Sequence, residues 1–396
     1  MTPMAETERI PVATLVEPMT IVVAVQNQAG VLRRHLPVML TQDHDLYEVI
    51  VVDLGSTDGT PLVLEAFELE YNNLRHITMP ASARDISLER LALTLGIRAA
   101  QSEWVVITDI RCVPASNHWL SLLSATIRQH PEAELVLGFS RYDERHHGWF
   151  DHKIGFHRLW YHLADYAHIQ AGHGAVRGDN CNVAVRKSLF LNHGGFGAHQ
   201  NLKTGACELM VNHFSTPANT QLCLLPNASM IQDKPTRSQW RQEQVFYMET
   251  RRHQRHAFFF RFKNCMNLLW PWFELFFMVL PLLAGVLALI FSIRLNDATY
   301  MHPLQLFTPR SSISRIEAPT VADITFFSLF LTLLLTAIVL ISSLRIHQFN
   351  KNARSLGCRS YRLTYILFEF SMPFWALRAW LTHRFASKNE FRKKFV

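Results

Sequence analysis

The stretch Glu48-Val-Ile-Val-Val-Asp-Leu-Gly-Ser-Thr-Asp-Gly-Thr60 predicts the fold more strongly than any other part of the chain. Its β-branched run Val49–Val52 ends abruptly at Asp53, and a glycine follows two residues later. This order indicates a buried parallel strand that delivers an acidic residue into a turn, with a helix starting after Thr60. Ligands of open α/β sheets bind beyond the carboxyl ends of strands. Asp53 is therefore a ligand contact or the carboxylate of an Asx turn, and the segment alone leaves both open.

Apolar strands and helical spacing alternate through the rest of the N-terminal half. Further strands are predicted at Thr20–Val25, Leu74–Thr78, Glu103–Asp109 and Leu135–Phe139. Alternation of this kind predicts an α/β fold with a doubly wound, mostly parallel sheet. Asp109 ends its strand as Asp53 does, so both acids are expected at one edge of that sheet.

The composition indicates a protein that is not soluble throughout. The chain has 396 residues, of which 49% are hydrophobic, and a formal charge of +7. Basic residues cluster around the apolar segments, which favours contact with membrane lipids; no nucleic-acid-binding signature is present, so no nucleic acid is expected as a partner. The six cysteines form no CxxC pair and are expected to be reduced thiols.

Two segments, 268–293 and 324–344, are apolar enough and long enough to cross a membrane. The segment 361–385 mixes aromatic and charged residues and is expected to be an interfacial helix, with re-entrant insertion as the alternative. Arginines and lysines flank the two spans on their outer sides, whereas the connecting loop has fewer. The positive-inside rule then predicts a multi-pass protein of the cytoplasmic membrane, with the N-terminal domain and the C-terminus in the cytoplasm.

The expected organisation is a flexible segment over residues 1–18, an α/β domain over 19–255 and a membrane region over 256–396. Histidines at 147, 152, 157 and 162 recur every five residues. A five-residue step rotates a helix by roughly 140°, so these side chains do not share a face and a zinc site is not expected. We expect a covering helix with solvent-exposed histidines.

Four segments in this order resemble family 2 glycosyltransferases of the GT-A fold. They are Thr20–Asn27, Val51–Thr60, Trp104–Pro114 and Gly178–Phe190, the last followed by Gly194-Gly-Phe196. The second is close to the family's VVDxxSxDGT segment and the third to the strand that bears its DxD motif. The resemblance covers residues 18–255 and implies a nucleotide-sugar donor, most often linked to UDP, with Mg²⁺ or Mn²⁺ as the metal.

The resemblance also implies roles for individual residues. Asn27, Asp53 and Asp109 would contact the nucleotide, and Asp109 would be the first acid of DxD and a metal ligand. The second acid of that motif is Arg111 here, and a guanidinium cannot ligate a cation. Arg111 is instead expected to pair with the diphosphate of the donor, which would make charge neutralisation independent of metal.

The catalytic base is expected in the segment Gly205–Leu209. A gapless match places the family's catalytic aspartate on Cys207, whereas a slip of one position gives Glu208. A carboxylate can act as a general base and a thiol of ordinary pKa is a poor one, so we assign Glu208. The alternative is that Glu208 is an ordinary helix residue.

Five residues are expected to contact the donor or acceptor sugar. They are Asn180, Asn182, Gln239, Trp240 and Arg241. The last three have the residue types of the family's QxxRW motif in a different order, and an amphipathic helix at the membrane surface is the alternative for that segment.

The sequence therefore predicts a membrane-bound glycosyltransferase. It would move a sugar from a nucleotide-sugar donor to a lipid-linked or polysaccharide acceptor at the cytoplasmic face of the membrane. The alternative is a catalytically impaired relative that binds a nucleotide sugar or a partner enzyme. A nucleotidyltransferase is disfavoured because no loop rich in glycine, arginine and lysine follows Val25.

Overall fold

The computed structural model describes residues 16–79, 87–144, 148–197, 202–255, 258–300, 321–361, 363–387 and 391. Several sequence-based predictions lie outside these ranges. They concern most of the segment 1–18, His147, most of the loop that connects the two apolar helices, and the basic tail 392–394.

A seven-stranded mixed sheet forms the centre of the N-terminal half. Its strands are β1 (Met19–Val25), β2 (Tyr47–Asp53), β3 (Leu74–Thr78), β4 (Trp104–Thr108), β6 (Leu135–Gly138), β8 (Val183–Arg186) and β9 (Thr220–Cys223), and the three strands of a smaller sheet are β5 (Cys112–Pro114), β7 (Ser140–Tyr142) and β10 (Met230–Gln232). The order across the large sheet is β3-β2-β1-β4-β8-β6-β9. The expected parallel pairing is confirmed for β3, β2, β1 and β4.

Two features of the sheets differ from the expectation of a parallel sheet alone. Strand β8 runs antiparallel to both β4 and β6, so the sheet is mixed. In the small sheet, β10 pairs with β5 antiparallel and with β7 in parallel. Three-residue strands such as β5 are too short to produce a period-2 signal in the sequence, which is why the small sheet was not predicted.

Helices cover both faces of the large sheet. They are α1 (Ala29–Leu40), α2 (Thr60–Glu70), α3 (Leu88–Ala99), α4 (Trp119–Gln129), α5 (Trp149–Gln170), α6 (Lys187–Asn192), α7 (Ala206–Phe214) and α8 (Arg237–Arg252). Alternate residues of β1 point to opposite faces, so Ile21 and Val23 join one apolar core and Val22 joins the other. A Cβ at Gly96 would lie 2.4 Å from Cγ1 of Val22, so glycine is what lets α3 pack closely on the sheet.

Three long helices follow the α/β part of the chain. They are α9 (Phe258–Tyr300), α10 (Val321–Ser355) and α11 (Leu363–Phe385). The stretches Phe258–Leu287 and Ser328–Ser355 are long and apolar enough to cross a membrane by length and composition. They overlap the two spans that the sequence predicts, and α11 coincides with the segment expected to be interfacial.

The contacts divide the chain into two compact units. The first contains Met1–Phe262, Asn352–Ser360 and Phe374–Val396, and the second contains Lys263–Lys351 and Tyr361–Pro373. The sequence-based boundary at 255/256 placed all later residues together, whereas the contacts of the C-terminal half of α11 group it with the α/β part. For example, His383 Nε2 lies 2.9 Å from Glu249 Oε2.

The second unit pairs its charged side chains. Arg345 Nη1 donates to Glu274 Oε1 at 3.0 Å, and Arg345 also pairs with the buried Glu369. Tyr365 donates its hydroxyl hydrogen to Glu369 Oε1 at 3.0 Å. Pairing of this kind satisfies charged groups among apolar helices, where an unpaired charge is unfavourable.

Candidate active site

The loops after β1 and β2 are fastened to each other at the edge of the sheet. Asp53 is fully buried, and its Oδ1 accepts hydrogen bonds from the backbone N–H of Ser56 at 3.1 Å and from its hydroxyl at 2.5 Å. Asn27 has a positive φ of 53°, and its Oδ1 accepts from the N–H of Thr57 at 2.8 Å. Asp53 therefore forms the Asx-type turn that the sequence left open, and it fixes the loop that carries Ser56.

Asp53 and Asp109 lie at the same edge of the sheet, separated by the end of β1. Strand β1 pairs with β2 on one side and with β4 on the other. Because neighbouring strands are about 4.8 Å apart, the two strand ends are separated by about 10 Å. The backbone therefore places the two acids near each other, as the sequence predicts.

Asp109 and Arg111 form a bidentate ion pair within one turn. Arg111 Nη2 lies 2.6 Å from Asp109 Oδ2, and Arg111 Nε lies 3.1 Å from Oδ1. The backbone N–H of Arg111 also donates to Oδ1 at 2.8 Å. The hydrogen bonds and the charge of Asp109 raise the pKa of Arg111, so the guanidinium stays charged.

This pair does not fit the divalent cation that the GT-A fold implies. A cation needs free carboxylate oxygens, but both oxygens of Asp109 accept hydrogen bonds from Arg111. Within the described part of the chain, no group of three or more histidine, cysteine, aspartate or glutamate residues is arranged to hold a metal ion. The role of metal ligand expected for Asp109 is therefore not supported by its surroundings.

A cavity of about 330 Å³ opens beside the Asp109–Arg111 pair. We call it the polar cavity. Helix α8 supplies one wall through Trp240, Glu243 and Tyr247, and α5 supplies another. Charged side chains of both signs line it: Glu89, Asp109, Asp179, Glu208, Glu243, Arg111, Arg158, Arg177 and Arg251.

Glu208 lines the polar cavity from the first turn of α7. Its Oε2 is inaccessible to solvent and makes no hydrogen bond with the described residues. Burial raises the pKa of the Glu208 carboxyl above its ordinary value, which suits a group that must accept a proton. The neighbouring Cys207 is buried in the apolar core beneath the sheet, and burial raises the pKa of its thiol. The geometry therefore separates the two candidate bases, and Glu208 is the one that reaches the cavity.

Glu89 is a cavity residue that the sequence reasoning did not identify. It lies in the first turn of α3, and its pKa is raised to about 7 by burial and by the charges of Asp109 and Glu208. The next residue, Arg90, is buried and donates from Nη2 to the backbone oxygen of Thr204 at 2.6 Å. Arg90 thereby ties the start of α3 to the segment that leads into α7. The sequence pattern of this helix does not indicate that its first turn faces a cavity.

Arg158 and Asp179 form a buried ion pair in the wall of the polar cavity. Arg158 Nη2 lies 3.2 Å from Asp179 Oδ1, and Arg158 Nε donates to the backbone oxygen of Ser140 at 3.0 Å. Asp179 Oδ1 also accepts from the N–H of Cys181 at 3.1 Å. Burial opposes ionisation of Asp179, but the charge of Arg158, the nearby His162 and the hydrogen bonds from Ser140 and the N–H of Cys181 together outweigh it, and the pKa of Asp179 is lowered. The pair thus joins α5 to the loop before β8.

Two histidines of α5 differ from the expectation of exposed side chains. His157 is buried and His162 is largely so, and both line the polar cavity. Burial lowers the pKa of each to about 3, so both imidazoles are neutral at physiological pH. His162 Nε2 lies 3.5 Å from Asp179 Oδ2. Their five-residue spacing does not indicate that they are buried, because each contacts a different neighbour.

The two asparagines expected to contact sugar have different positions. Asn180 lines the polar cavity, and its Oδ1 makes no hydrogen bond with the described residues. Asn182 is fully buried; its Oδ1 accepts from Trp119 Nε1 at 3.1 Å, and its Nδ2 donates to the backbone oxygen of Ala228 at 2.9 Å. The amide of Asn182 is thus used to hold the fold together, and its side chain does not face the polar cavity.

The three residues Gln239, Trp240 and Arg241 have different surroundings. Gln239 forms a capping box with Thr236 at the start of α8: its Oε1 accepts from the N–H of Thr236 at 2.9 Å. Trp240 is buried and lines the polar cavity. Arg241 lines a neighbouring cavity that does not contain Asp109. Of the three, Trp240 alone reaches the polar cavity.

The described geometry combines an acidic strand end, a carboxylate with one buried oxygen and a cavity at the edge of an open α/β sheet. A mannosyltransferase of Pyrobaculum calidifontis, PcManGT, solved in complex with GDP-Man and Mn²⁺, has the same fold. The two share 15% identity at a TM-score of 0.50, over 95% of this chain and 91% of that one. TarS of S. aureus (residues 1–349) aligns at 14% identity over 59% of this chain and 65% of its own, with a TM-score of 0.41. The fold class is that of the GT-A glycosyltransferases.

Part of the sequence matches a family model. Residues 20–190 match the sequence model described as "Glycosyl transferase family 2". No protein of curated function matches the chain. The match covers less than half of the chain, and the matched region carries Asp53, Asp109 and Asn180.

Proposed function

We propose that this protein transfers a sugar from a nucleotide-sugar donor, linked to UDP, to a lipid-linked or polysaccharide acceptor at the cytoplasmic face of a membrane. The observation that carries the proposal is the position of Glu208. Its carboxylate lines the same cavity as Asp109 and Arg111, with Oε2 free of hydrogen bonds to the described residues. A buried carboxylate oxygen without a partner is unfavourable unless a ligand uses it.

Glu208 acts as the general base in this mechanism. Its carboxylate takes the proton of the acceptor hydroxyl while the hydroxyl oxygen attacks the anomeric carbon of the donor. The bond from that carbon to the diphosphate breaks, and the electron pair leaves with the nucleoside diphosphate. One displacement inverts the anomeric configuration, as the family resemblance implies. Activity should rise with pH as Glu208 loses its proton, at a pH above that of an ordinary carboxyl because burial raises its pKa.

Arg111 neutralises the leaving diphosphate in place of a metal ion. Its side chain is 44% exposed, so its outer N–H groups remain accessible while it is held by Asp109. A guanidinium fixed in this way presents a planar donor pair to phosphate oxygens. Asn27 and Asp53, at the neighbouring strand ends, are proposed to contact the nucleotide, with Asp53 acting through the Ser56 loop that it orders.

The membrane location rests on the apolar helices α9 and α10 and on the basic residues that flank them. Arg251, Arg252 and Arg255 precede the first apolar stretch, and Lys351 and Arg354 lie at the end of the second. Basic residues on these two sides favour a cytoplasmic α/β domain and a cytoplasmic C-terminus.

The proposal is tested by turnover with membranes that contain the protein and a panel of nucleotide sugars, in Mg²⁺, Mn²⁺ or EDTA. Glu208→Gln should lower turnover by about 10²-fold or more while nucleotide binding is retained, because the amide cannot accept the proton. Glu132→Gln changes an exposed glutamate that is distant from Glu208 in the sequence. It is the matched control and should leave turnover unchanged. Turnover should survive EDTA.

Two results would contradict parts of this proposal. Binding of UDP with no turnover for any donor would favour the catalytically impaired relative instead. Turnover that EDTA abolishes would exclude Arg111 as the sole counter-charge of the diphosphate.

A further inference from the structure

A second cavity of about 280 Å³ shares a wall with the polar cavity. We call it the apolar cavity. It lies between α5, α8 and the C-terminal half of α11, all within the first compact unit. The side chains that line both cavities are His157, Tyr161, Trp240, Gln244 and Met248. A ligand seated in the apolar cavity is therefore separated by one layer of side chains from the polar cavity, which Glu208 also lines.

Two tryptophans form the apolar lining. The rings of Trp240 and Trp375 are 5.7 Å apart at an interplanar angle of 62°, and Val245, Ala376 and Ala379 extend the apolar surface. Aromatic and aliphatic walls of this kind fit the apolar part of a ligand.

Two cations lie over the ring of Trp375, and a third lines the same cavity. Lys153 Nζ lies 3.1 Å from the centre of its ring, and Arg378 Cζ lies 5.7 Å from it. Arg241 lines the same cavity. Burial and the charges of Arg241 and Arg378 lower the pKa of Lys153 to about 8. In the described part of the chain no carboxylate lies within ion-pair distance of any of them. Three convergent cations without a counter-ion fit a phosphate group.

Another face of this half of α11 carries apolar side chains that are exposed. Phe374, Leu377, Leu381 and Phe385 are exposed by 40% or more and are spaced three or four residues apart, so they form one stripe. Trp375, Ala379 and Thr382 line the cavity from the other side of the helix. A helix with one face on a ligand cavity and one exposed apolar face is suited to the membrane surface, where lipids have direct access.

We propose that the apolar cavity binds the acceptor as a membrane lipid that carries its saccharide on a phosphate or diphosphate. The lipid chain packs on Trp240 and Trp375, the phosphate pairs with Arg241, Arg378 and Lys153, and the saccharide reaches Glu208 past the shared wall. This inference rests on the proposed glycosyl transfer and selects the lipid-linked acceptor over the free polysaccharide. The bonds that form and break are those of the proposed function, and the bonds that join the phosphate to the lipid and to its saccharide stay intact.

The test is equilibrium binding to the full-length protein in nanodiscs of phosphatidylcholine. The probes are radiolabelled hexadecyl phosphate, hexadecyl glucoside, which has the chain and a sugar but no phosphate, and inorganic phosphate. We expect hexadecyl phosphate to bind about tenfold or more tightly than either of the others. The double variant Arg241→Gln/Arg378→Gln should lose that preference. Arg384→Gln, which removes an exposed arginine of the same helix outside the cavity, is the matched control and should keep it.

A cavity-filling variant keeps the inference testable if loss of the cations perturbs folding. Ala376→Trp leaves all three charges in place but should weaken both amphiphiles by about tenfold. Equal binding of the phosphate and the glucoside, or a preference that survives the double variant, would overturn the inference, as would inorganic phosphate binding as tightly as hexadecyl phosphate. UDP binding, measured on the same samples, separates the two proposals. If the unaltered protein does not bind UDP, the nucleotide-sugar donor is contradicted, whereas the lipid-binding result is still valid.

Discussion

At the scale of single residues, the charge balance of the polar cavity decides how it responds to pH. Three of its arginines face carboxylates: Arg111 with Asp109, Arg158 with Asp179, and Arg177 with Asp165 outside the cavity lining. The remaining acids, Glu89, Glu208 and Glu243, all have a raised pKa, with burial as the first cause. Their ionisation adds negative charge where the donor diphosphate is expected.

Glu89 should make nucleotide affinity depend on pH near neutrality. Its pKa is about 7, so it is neutral below that pH and negatively charged above it. A carboxylate beside Asp109 repels a diphosphate, and UDP affinity should therefore fall by about three- to tenfold between pH 6 and pH 8. In Glu89→Gln the fall should disappear. Titration calorimetry at the two pH values measures this, with Glu132→Gln as control; an equal fall in Glu89→Gln would exclude Glu89 as the cause.

Arg111→Asp should convert the site to metal dependence. The substitution removes the guanidinium that occupies both oxygens of Asp109 and places two carboxylates two residues apart. We expect the variant to bind Mn²⁺, which electron paramagnetic resonance detects. EDTA should lower the UDP affinity of this variant by about tenfold or more and leave that of the unaltered protein unchanged. Arg111→Gln, which frees Asp109 without adding an acid, is the comparison. A variant that binds no Mn²⁺ would indicate that other groups prevent coordination.

At the scale of elements, Asn182 connects the strands that shape the cavity. It follows the cavity loop and precedes β8, and its amide reaches the indole of α4 and the backbone just before β10. A Cβ at Gly138 of β6 would lie 2.2 Å from Asn182 Nδ2, so this glycine leaves the room that the amide occupies. One side chain thus links both sheets.

Asn182→Leu should be destabilising by about 2–4 kcal/mol, because it removes the buried amide and leaves the Trp119 indole N–H and the backbone oxygen of Ala228 without that partner. Asn180→Leu, two residues away, loses no such partner and should change activity more than stability. Thermal unfolding of both variants checks the contrast. Equal unfolding midpoints would contradict the structural role assigned to Asn182.

The sequence predicted β1 to β4, their helices and the acidic strand ends because each is a continuous run with its own period. It did not predict the small sheet, Glu89 or the Arg158–Asp179 pair, since these depend on contacts between residues far apart in the chain. Glu208 could be chosen over Cys207 on chemical grounds before its position was known. Asn182 and Gln239 share the residue types of sugar contacts, but burial and a helix cap account for them instead.

At the scale of the whole molecule, the first compact unit includes residues from the C-terminal end of the chain. Trp375 packs on Trp240, His383 pairs with Glu249, and the backbone oxygen of Phe391 accepts from the N–H of Lys203 at 3.1 Å. The α/β part is therefore completed by a segment that follows both apolar helices in the sequence.

Removal of residues 374–396 should destabilise the α/β part although every strand of its sheets is retained. The truncation uncovers the buried Trp240 and removes the His383 partner of Glu249. We expect the unfolding midpoint of the membrane-embedded protein to fall by several degrees, on the scale of a loss of about 2 kcal/mol. Removal of the exposed Phe385 side chain alone, as Phe385→Ala, is the control. An unchanged midpoint in the truncated chain would show that the C-terminal contacts contribute little.

The order of the elements along the chain also determines when each cavity can form during synthesis of the protein. Helix α8 ends at Arg252 and α9 begins at Phe258, so the last wall of the polar cavity leaves the ribosome within about one second of the first apolar helix. Trp375 follows Arg252 by roughly 120 residues, or roughly ten seconds at the usual rate of elongation. The polar cavity can thus be assembled before either apolar helix is complete, whereas the apolar cavity can close only after both have been made.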